Sequence, residues 1–400
     1  MNVLFLTMND FKTVSEHGIY TDLLRYMSQQ GHNVTVVAPL EKKYGEETTI
    51  TNEDGVTVIK AKTGNLFNVG KITKLISRFT LRFSYNRALK DNLTTEKIDL
   101  VLYTTPPTTL APVVARVKKK YGSVSYLMLK DIFPQNAVDL GMIKEGSIPH
   151  KVLRRFEKKL YHVSDYIGCM SPANTEYLKR MNPELNSSRI GLCPNCFDYY
   201  DLRVSENEKE SIREKYGIPN DKKLYIYGGN LGKPQGIPFF ISCMPELQKL
   251  ENDFFLIVGQ GTEYESISSY ITDHRPENIK LMKYLEKEDY SKVVASSDFG
   301  LIFLDNRFTI PNFPSRLLDY MQAGIPILAC TDANTDIGRI ITEGQFGLWC
   351  ESRNVGDFVN MIKKSEEMNF DQEDELKYLI ENYTTEKCYQ HIIDAVGTKV

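Results

Sequence analysis

The sequence predicts an α/β protein made of two doubly wound domains that face a central cleft, and three observations predict it. Short apolar runs alternate with helical stretches along the 400 residues, as parallel sheets covered by helices require. A charged stretch punctuated by Gly and Pro, over 205–223, separates two such series. The formal charge of −3 also hides an asymmetry: residues 1–200 hold 27 Lys+Arg and 19 Asp+Glu, whereas residues 201–400 hold 22 and 33. A basic half joined to an acidic half implies two domains with different partners. Ligands of doubly wound sheets bind beyond the carboxyl ends of the strands, so the cleft is expected between those ends.

Composition narrows the class. With 42% hydrophobic and 25% charged residues the chain is neither disordered, collagenous nor coiled coil. No apolar run approaches the ~18 residues that span a bilayer. Val3 to Leu6 is too short for a signal-peptide core of about 7–15 residues, so the chain is expected in the cytoplasm. Seven scattered Cys agree, reading as reduced thiols.

The elements follow in order. Val3-Leu4-Phe5-Leu6 is a buried parallel strand by its apolar run. Leu23, Leu24 and Met27 recur at helical spacing, Gly31 follows as a C-cap, and Val34 to Val37 is the next β-branched run. Further strands are predicted near 98–103, 124–129, 165–169 and 189–193. The second series has strands near 224–228, 254–258, 278–282, 299–304, 326–330 and 347–350. His162-Val163-Ser164-Asp165-Tyr166-Ile167 is echoed by Ala295-Ser296-Ser297-Asp298-Phe299-Gly300: a helix ends, Ser-Asp turns the chain, and a strand begins.

Three segments carry chemistry. Tyr225 to Gly236 runs from a strand through Gly228-Gly229-Asn230-Leu231-Gly232-Lys233 into a helix. Glycines let backbone N–H groups approach a phosphate, and a helix N-terminus favours anions; a plain tight turn is the alternative. Val258-Gly259-Gln260-Gly261 repeats the device one strand later, which suggests a nucleotide across neighbouring strand ends. In Phe313 to Ala329, Ser315 is the expected N-cap. Arg316 lies in the first turn, where a cation opposes the helix dipole, and this points to a bound anion such as a diphosphate. Asp319, one turn on, suits a ribose diol. An ordinary amphipathic helix with solvated charges is the other reading.

These residues resemble a retaining glycosyltransferase of the GT-B fold, with two Rossmann-like domains, in the group called family 4. The chain is most similar to the bacterial branch that adds amino sugars, including N-acetylfucosamine, in O-antigen and capsule assembly. The resemblance covers nearly the whole chain. It runs through His17-Gly18, Gln30-Gly31-His32-Asn33-Val34-Thr35-Val36, Lys130-Asp131-Ile132-Phe133-Pro134 and Pro194-Asn195-Cys196-Phe197-Asp198. Its most specific part is Pro314-Ser315-Arg316 through Gly324-Ile325-Pro326. It implies an acceptor-binding domain over 1–198, a donor-binding domain over 199–382, and a final helix, 383–400, packing back on the first. It also implies transfer of a sugar, an N-acetylamino sugar, from a UDP donor to a polyprenyl-diphosphate-linked saccharide. The donor set is Gly18, Gly229, Asn230, Lys233, Gly259, Gly261, Tyr284, Ser315, Arg316, Leu317 and Asp319. Asp131 and His17 are the catalytic or acceptor-binding candidates, with a turn cap and a solvated loop histidine as their respective alternatives.

The sequence departs from the family's pattern. Of two Glu with seven residues between them, Pro311 and Asp319 hold the places. Asn230 and Gln235 hold those of the Arg and Lys that meet the diphosphate, which leaves Lys233 and Arg316 to supply positive charge. No Asp-x-Asp, His-Glu-x-x-His or paired Cys-x-x-Cys occurs, so no metal or cofactor is expected. The resemblance covers Pro194 and Asn195 of Cys193-Pro194-Asn195-Cys196, against a redox reading.

Residues 71–90 carry Lys71, Lys74, Arg78, Arg82, Arg87 and Lys90 with no acid, and Ile72, Leu75, Ile76, Phe79, Phe83 and Leu89 interleave. Residues 151–160 are similar. Basic amphipathic helices suit an anionic membrane surface, so the protein is expected to sit peripherally on the inner leaflet. A solvated face with its apolar side in the core is the alternative. Nucleic acid is not expected, since no binding module appears. The rival activity is a UDP-sugar 2-epimerase of the same fold.

Overall fold

The computed structural model describes residues 1–397 apart from the Lys71 side chain. Residues 398–400 of the expected last helix, and the Lys71 side chain of the basic stretch, lie outside the described residues. The chain forms two compact units. One comprises Met1–Asp198 with the segment from Tyr383 onward, and the other Tyr199–Asn382.

The first unit is built from β1 (Asn2–Leu6), α1 (Ile19–Gln29), β2 (Asn33–Glu41), β3 (Thr49–Glu53), β4 (Val56–Thr63), α2 (Lys71–Asn92), β5 (Leu100–Thr104) and α3 (Ala111–Tyr121). It continues through β6 (Val124–Leu129), α4 (Gln135–Asp139), α5 (Ile148–Val163), β7 (Tyr166–Cys169), α6 (Pro172–Met181) and β8 (Ile190–Leu192). Its sheet order is β3-β4-β2-β1-β5-β6-β7-β8. Seven strands are parallel, and the apolar runs of the central β1, β5 and β6 are buried on both faces. The expectation of a purely parallel sheet is corrected at one edge. β3 pairs antiparallel with β4 through Asp54 and Gly55, both at positive φ, the two-residue turn that Asp-Gly favours. The C-cap of α1 is Gln30, and Gly31 follows it in the left-handed region.

The second unit contains α7 (Glu206–Lys215), β9 (Lys223–Asn230), α8 (Ile237–Leu247), β10 (Asp253–Gln260), α9 (Tyr264–His274), β11 (Ile279–Met282) and α10 (Lys287–Ala295). β12 (Phe299–Phe303), α11 (Arg316–Ala323), β13 (Ile327–Thr331), α12 (Ile337–Glu343), β14 (Gly347–Glu351), α13 (Val355–Glu366) and α14 (Gln372–Asn382) complete it. The order β11-β10-β9-β12-β13-β14 is parallel throughout. The last helix, α15 (Thr385–Val396), places Cys388, Ile392 and Val396 in the core of the first unit.

The repeated Ser-Asp turn does the same work in both units. Asp165 takes the N–H of Ser125 at the start of β6 and pairs with Lys118 at 2.7 Å. Asp298 takes the N–H of Leu224 in β9 and pairs with Arg213 at 2.8 Å. Each carboxylate ties the start of one strand to its neighbour, satisfying backbone donors that the ladder leaves open.

Glycines allow β9 and β10 to close at their carboxyl ends. A Cβ on Gly259 would lie 1.9 Å from Gly229 O, and one on Gly261 2.4 Å from Leu231 O. Gly259→Ala therefore lowers stability by about 2–3 kcal/mol, an overpacking penalty, read from the midpoint of urea unfolding. An unchanged midpoint would show that the strand ends part without cost.

Candidate functional site

In the second unit the chain leaves β9 toward β10 and β11 on one side and returns to β12, β13 and β14 on the other. The reversal opens a crevice beyond the carboxyl ends of β9 and β12. Gly228, Gly229 and Asn230 end β9 rather than forming the expected loop, residues 231–236 follow it, and α11 follows β12, so both strong sequence motifs meet there.

Arg316 is the centre of that meeting. It is buried, its Cζ 4.4 Å from the centre of the Tyr227 ring, and its Nη2 donates to Gln235 Oε1 at 2.8 Å. Nη1 is buried with no hydrogen-bond partner. A guanidinium stacked on an aromatic face keeps its charge while its free N–H edge stays available. Tyrosines wedge the site from behind. Tyr320 accepts the N–H of Gly228, its ring fits where Gly300 lacks a Cβ, and a Cβ on Gly228 would lie 2.0 Å from the Tyr290 hydroxyl. Gly229, at φ +111, lies alongside, with Arg316 Nη2 3.5 Å from where its Cβ would be. Asp319 is half-buried one turn along α11. Burial pushes its carboxyl up to about 6 against the pull of Lys287 and Arg316.

Several expected donor residues turn out differently. Ser315 occupies the N-cap position, but its backbone is helical and its side chain makes no capping bond. Leu317 is fully buried and its N–H is held by Pro314 O, so it belongs to the core. Gly259 and Gly261 are accounted for by strand packing. Asn230, Lys233 and Tyr284 are exposed around the loops, leaving Arg316 as the buried cation. The sequence reading missed Tyr227, Tyr290 and Tyr320, for which only a Gly facing a bulky ring could have been a signal.

The remaining candidates lie in the first unit. His17 has a side chain 48% exposed, with Nδ1 3.5 Å from the buried Asp22. Gly18 is not left to a donor: its N–H donates to Asp22 Oδ1 at 3.1 Å, and Asp22 Oδ2 takes the N–H of Asp198. Arg25 bridges the carboxylates of Asp22 at 2.6 Å and Asp198 at 3.3 Å. His17, Asp22 and Asp198 form the one trio of metal-type donors among the described residues, and Arg25 supplies its positive charge. Asp22 and Arg25, spaced i, i+3, went unread. Asp131 follows β6; its N–H is held by Thr105 Oγ1 and its Oδ1 accepts from Asn136 at 2.6 Å. Burial pushes its carboxyl up to about 6, opposed by Arg78 and reinforced by Glu157.

The basic stretch divides. Burial draws Lys74 and Arg78 below the usual range for their types, and Arg78 lies within the field of Asp131. Leu89 is in the core, and Phe79 meets Phe156 of α5 edge to face at 5.3 Å. Ile72, Leu75, Ile76 and Phe83 remain exposed on α2, as do Ile148 and Val152 on α5. Among the described residues no helix is long and apolar enough to cross a membrane.

Comparison with known proteins meets this geometry. Residues 208–386 match the family described as glycosyl transferases group 1. The matched residues lie almost wholly in the second unit. The chain is 26% identical over 258 residues to the probable glycosyltransferase WbjE of Pseudomonas aeruginosa, covering 63% of this chain and 62% of that protein. It is 21% identical over 248 residues to the putative colanic acid biosynthesis glycosyl transferase WcaI of Escherichia coli K12, covering 61% and 60%. The matched parts thus span less than two thirds of those relatives. Among solved structures, Anabaena HepE in complex with UDP matches with TM-score 0.66 at 13% identity, covering 100% of both chains. WaaG, a glycosyltransferase involved in lipopolysaccharide biosynthesis, matches with TM-score 0.64 at 13% identity over 99% and 100%. The fold is that of GT-B glycosyltransferases.

Proposed function

We propose that this chain is a retaining family 4 glycosyltransferase. In this reading it moves an N-acetylamino sugar from a UDP donor to a polyprenyl-diphosphate-linked saccharide during surface polysaccharide assembly. The observation that carries the reading is Arg316, a buried cation at the switch point whose Nη1 has no hydrogen-bond partner and whose Nη2 lies beside Gly229. Such an edge suits a diphosphate, whose charge rises as the sugar leaves. Asp319 is then the acceptor for the ribose diol. Relatives named as glycosyltransferases and a neighbour solved with UDP support the assignment; they lend nothing to the epimerase reading.

The first unit receives the acceptor. Asp131, ionised above pH about 6, orients the attacking hydroxyl. The leaving phosphate takes the acceptor's proton, and no metal is needed. Exposed apolar residues and cations on α2 and α5 favour a peripheral position on an anionic inner leaflet.

The test is binding of a panel of UDP-sugars to the purified protein, followed by transfer with and without EDTA. UDP-N-acetylamino sugars bind most tightly, and transfer survives chelation. Preference for an unrelated nucleotide overturns the donor assignment, and loss of transfer to EDTA with rescue by Mn²⁺ overturns the metal-free mechanism.

A further inference from the structure

One face of α2 changes character along its length. Ile72, Leu75, Ile76, Phe79 and Phe83 recur at i, i+3, i+4, i+7 and i+11, and four of the five are exposed. On the adjoining row Arg82, Asn86 and Lys90 follow at i, i+4 and i+8. There, between α2 and α3, the surface sinks into an open pocket of about 620 Å³ lined by Arg82, Phe83, Asn86, Arg87, Lys90 and Arg116. Its single acid, Asp91, is taken by Arg87 at 3.6 Å. Two lining atoms are orphaned: Arg82 Nε and Asn86 Oδ1 are buried with no hydrogen-bond partner. Arg82 itself is held over the Phe83 ring at 4.7 Å. The Asn86 amide can turn about its axis to present its NH₂ instead.

An unpartnered buried N–H, Arg82 Nε, beside an amide that can present its NH₂ among cations defines an anion site, and the compact, multivalent anion it suits is a phosphate. The apolar row running out of the pocket on the same helix face favours a phosphate that carries a hydrocarbon chain. We propose that the α2–α3 pocket binds the terminal phosphate of an anionic lipid while Ile72, Leu75, Ile76 and Phe83 enter the acyl boundary. This rests on the membrane reading above and adds to it a headgroup selectivity that a diffuse basic patch lacks. It is separate from the nucleotide site, which lies in the other unit.

The experiment measures vesicle co-sedimentation of the full chain. Vesicles are phosphatidylcholine doped with phosphatidic acid or, at matched surface potential, with oleate, which brings carboxylate charge only. Wild type binds the phosphatidic acid vesicles about tenfold better than the oleate ones. Arg82→Gln with Arg116→Gln abolishes that preference and leaves UDP titration unchanged. Lys151→Gln with Arg155→Gln, which removes the same charge from α5, lowers binding to both vesicles and keeps the preference. Equal binding of wild type to both vesicles overturns the pocket and leaves the membrane reading standing. Binding to neither overturns both. Competition by soluble glycerol 3-phosphate already at micromolar concentration, where a headgroup without its acyl chains should not compete, overturns the lipid source in favour of a free phosphate.

Discussion

Asp319→Ala weakens UDP binding about tenfold or more and weakens uridine binding by the same factor. In the proposed site the carboxylate accepts charge-assisted hydrogen bonds from the ribose, each contributing about 1.5–3 kcal/mol, and the ribose is common to both ligands. Isothermal titration with the two ligands reads the effect. The same residue gives the binding a pH dependence of defined sign. In the free protein its carboxyl titrates at about 6, and the ligand requires the ionised form, so uridine affinity rises as pH increases through about 6. Uridine is the better probe because it has no phosphate to titrate. The linkage to stability runs the other way. Between the unfolded value of about 4 and the folded value of about 6 the folded chain holds a proton that the unfolded chain has lost, so this group destabilises the fold increasingly as pH rises across that window. Asp319→Ala should then gain in Tm relative to wild type above pH about 6 and lose both dependences. Wild-type affinity in the variant removes Asp319 from the site.

Arg316→Ala weakens UDP binding about a hundredfold but leaves uridine binding within a factor of a few. Two charge-assisted bonds to the diphosphate, at about 1.5 kcal/mol or more each, account for the loss. In the proposed site uridine, having no diphosphate, does not meet the guanidinium. The cost to the fold is small because two effects oppose. The variant loses the stacking on Tyr227, about 0.5–2 kcal/mol, and the bond to Gln235. It also removes a cation from the first turn of α11, where the helix dipole disfavours it by about 0.3–1 kcal/mol. A variant that binds UDP and uridine equally well would falsify the diphosphate role. A variant that loses both ligands together with most of its Tm would show that the guanidinium is structural.

Much of this was legible because it is written in neighbouring residues. Val3 to Leu6, Val124 to Leu129 and Phe254 to Val258 are apolar runs too short for helices, and they are buried strands. The Ser-Asp echo at 164–165 and 297–298 marked two equivalent strand starts, and the structure adds the Lys118 and Arg213 partners. The hairpin at 49–63 was legible and went unread: Asp54-Gly55 between β-branched residues is its signal. The exposed row on α2 was visible as helical spacing, but which of its apolar residues enter the core was not. Leu89 is buried and Ile72 is 77% exposed, although both fit the same coarse pattern.

The sequence by itself determined the alternation of strand and helix, the glycines at the carboxyl ends of β9 and β10 and the misplaced cation at the start of one helix. Those features depend on period, turn chemistry and the helix dipole, which act over a few residues. Only the tertiary structure decided what surrounds that cation. Gln235 and Tyr227 reach Arg316 from more than eighty residues away, and Tyr290 and Tyr320 fill spaces that exist because Gly228 and Gly300 have no Cβ. It also decided that Asp131 and Asp319 titrate near 6, since desolvation depends on how much protein closes over a carboxyl rather than on its neighbours in the chain.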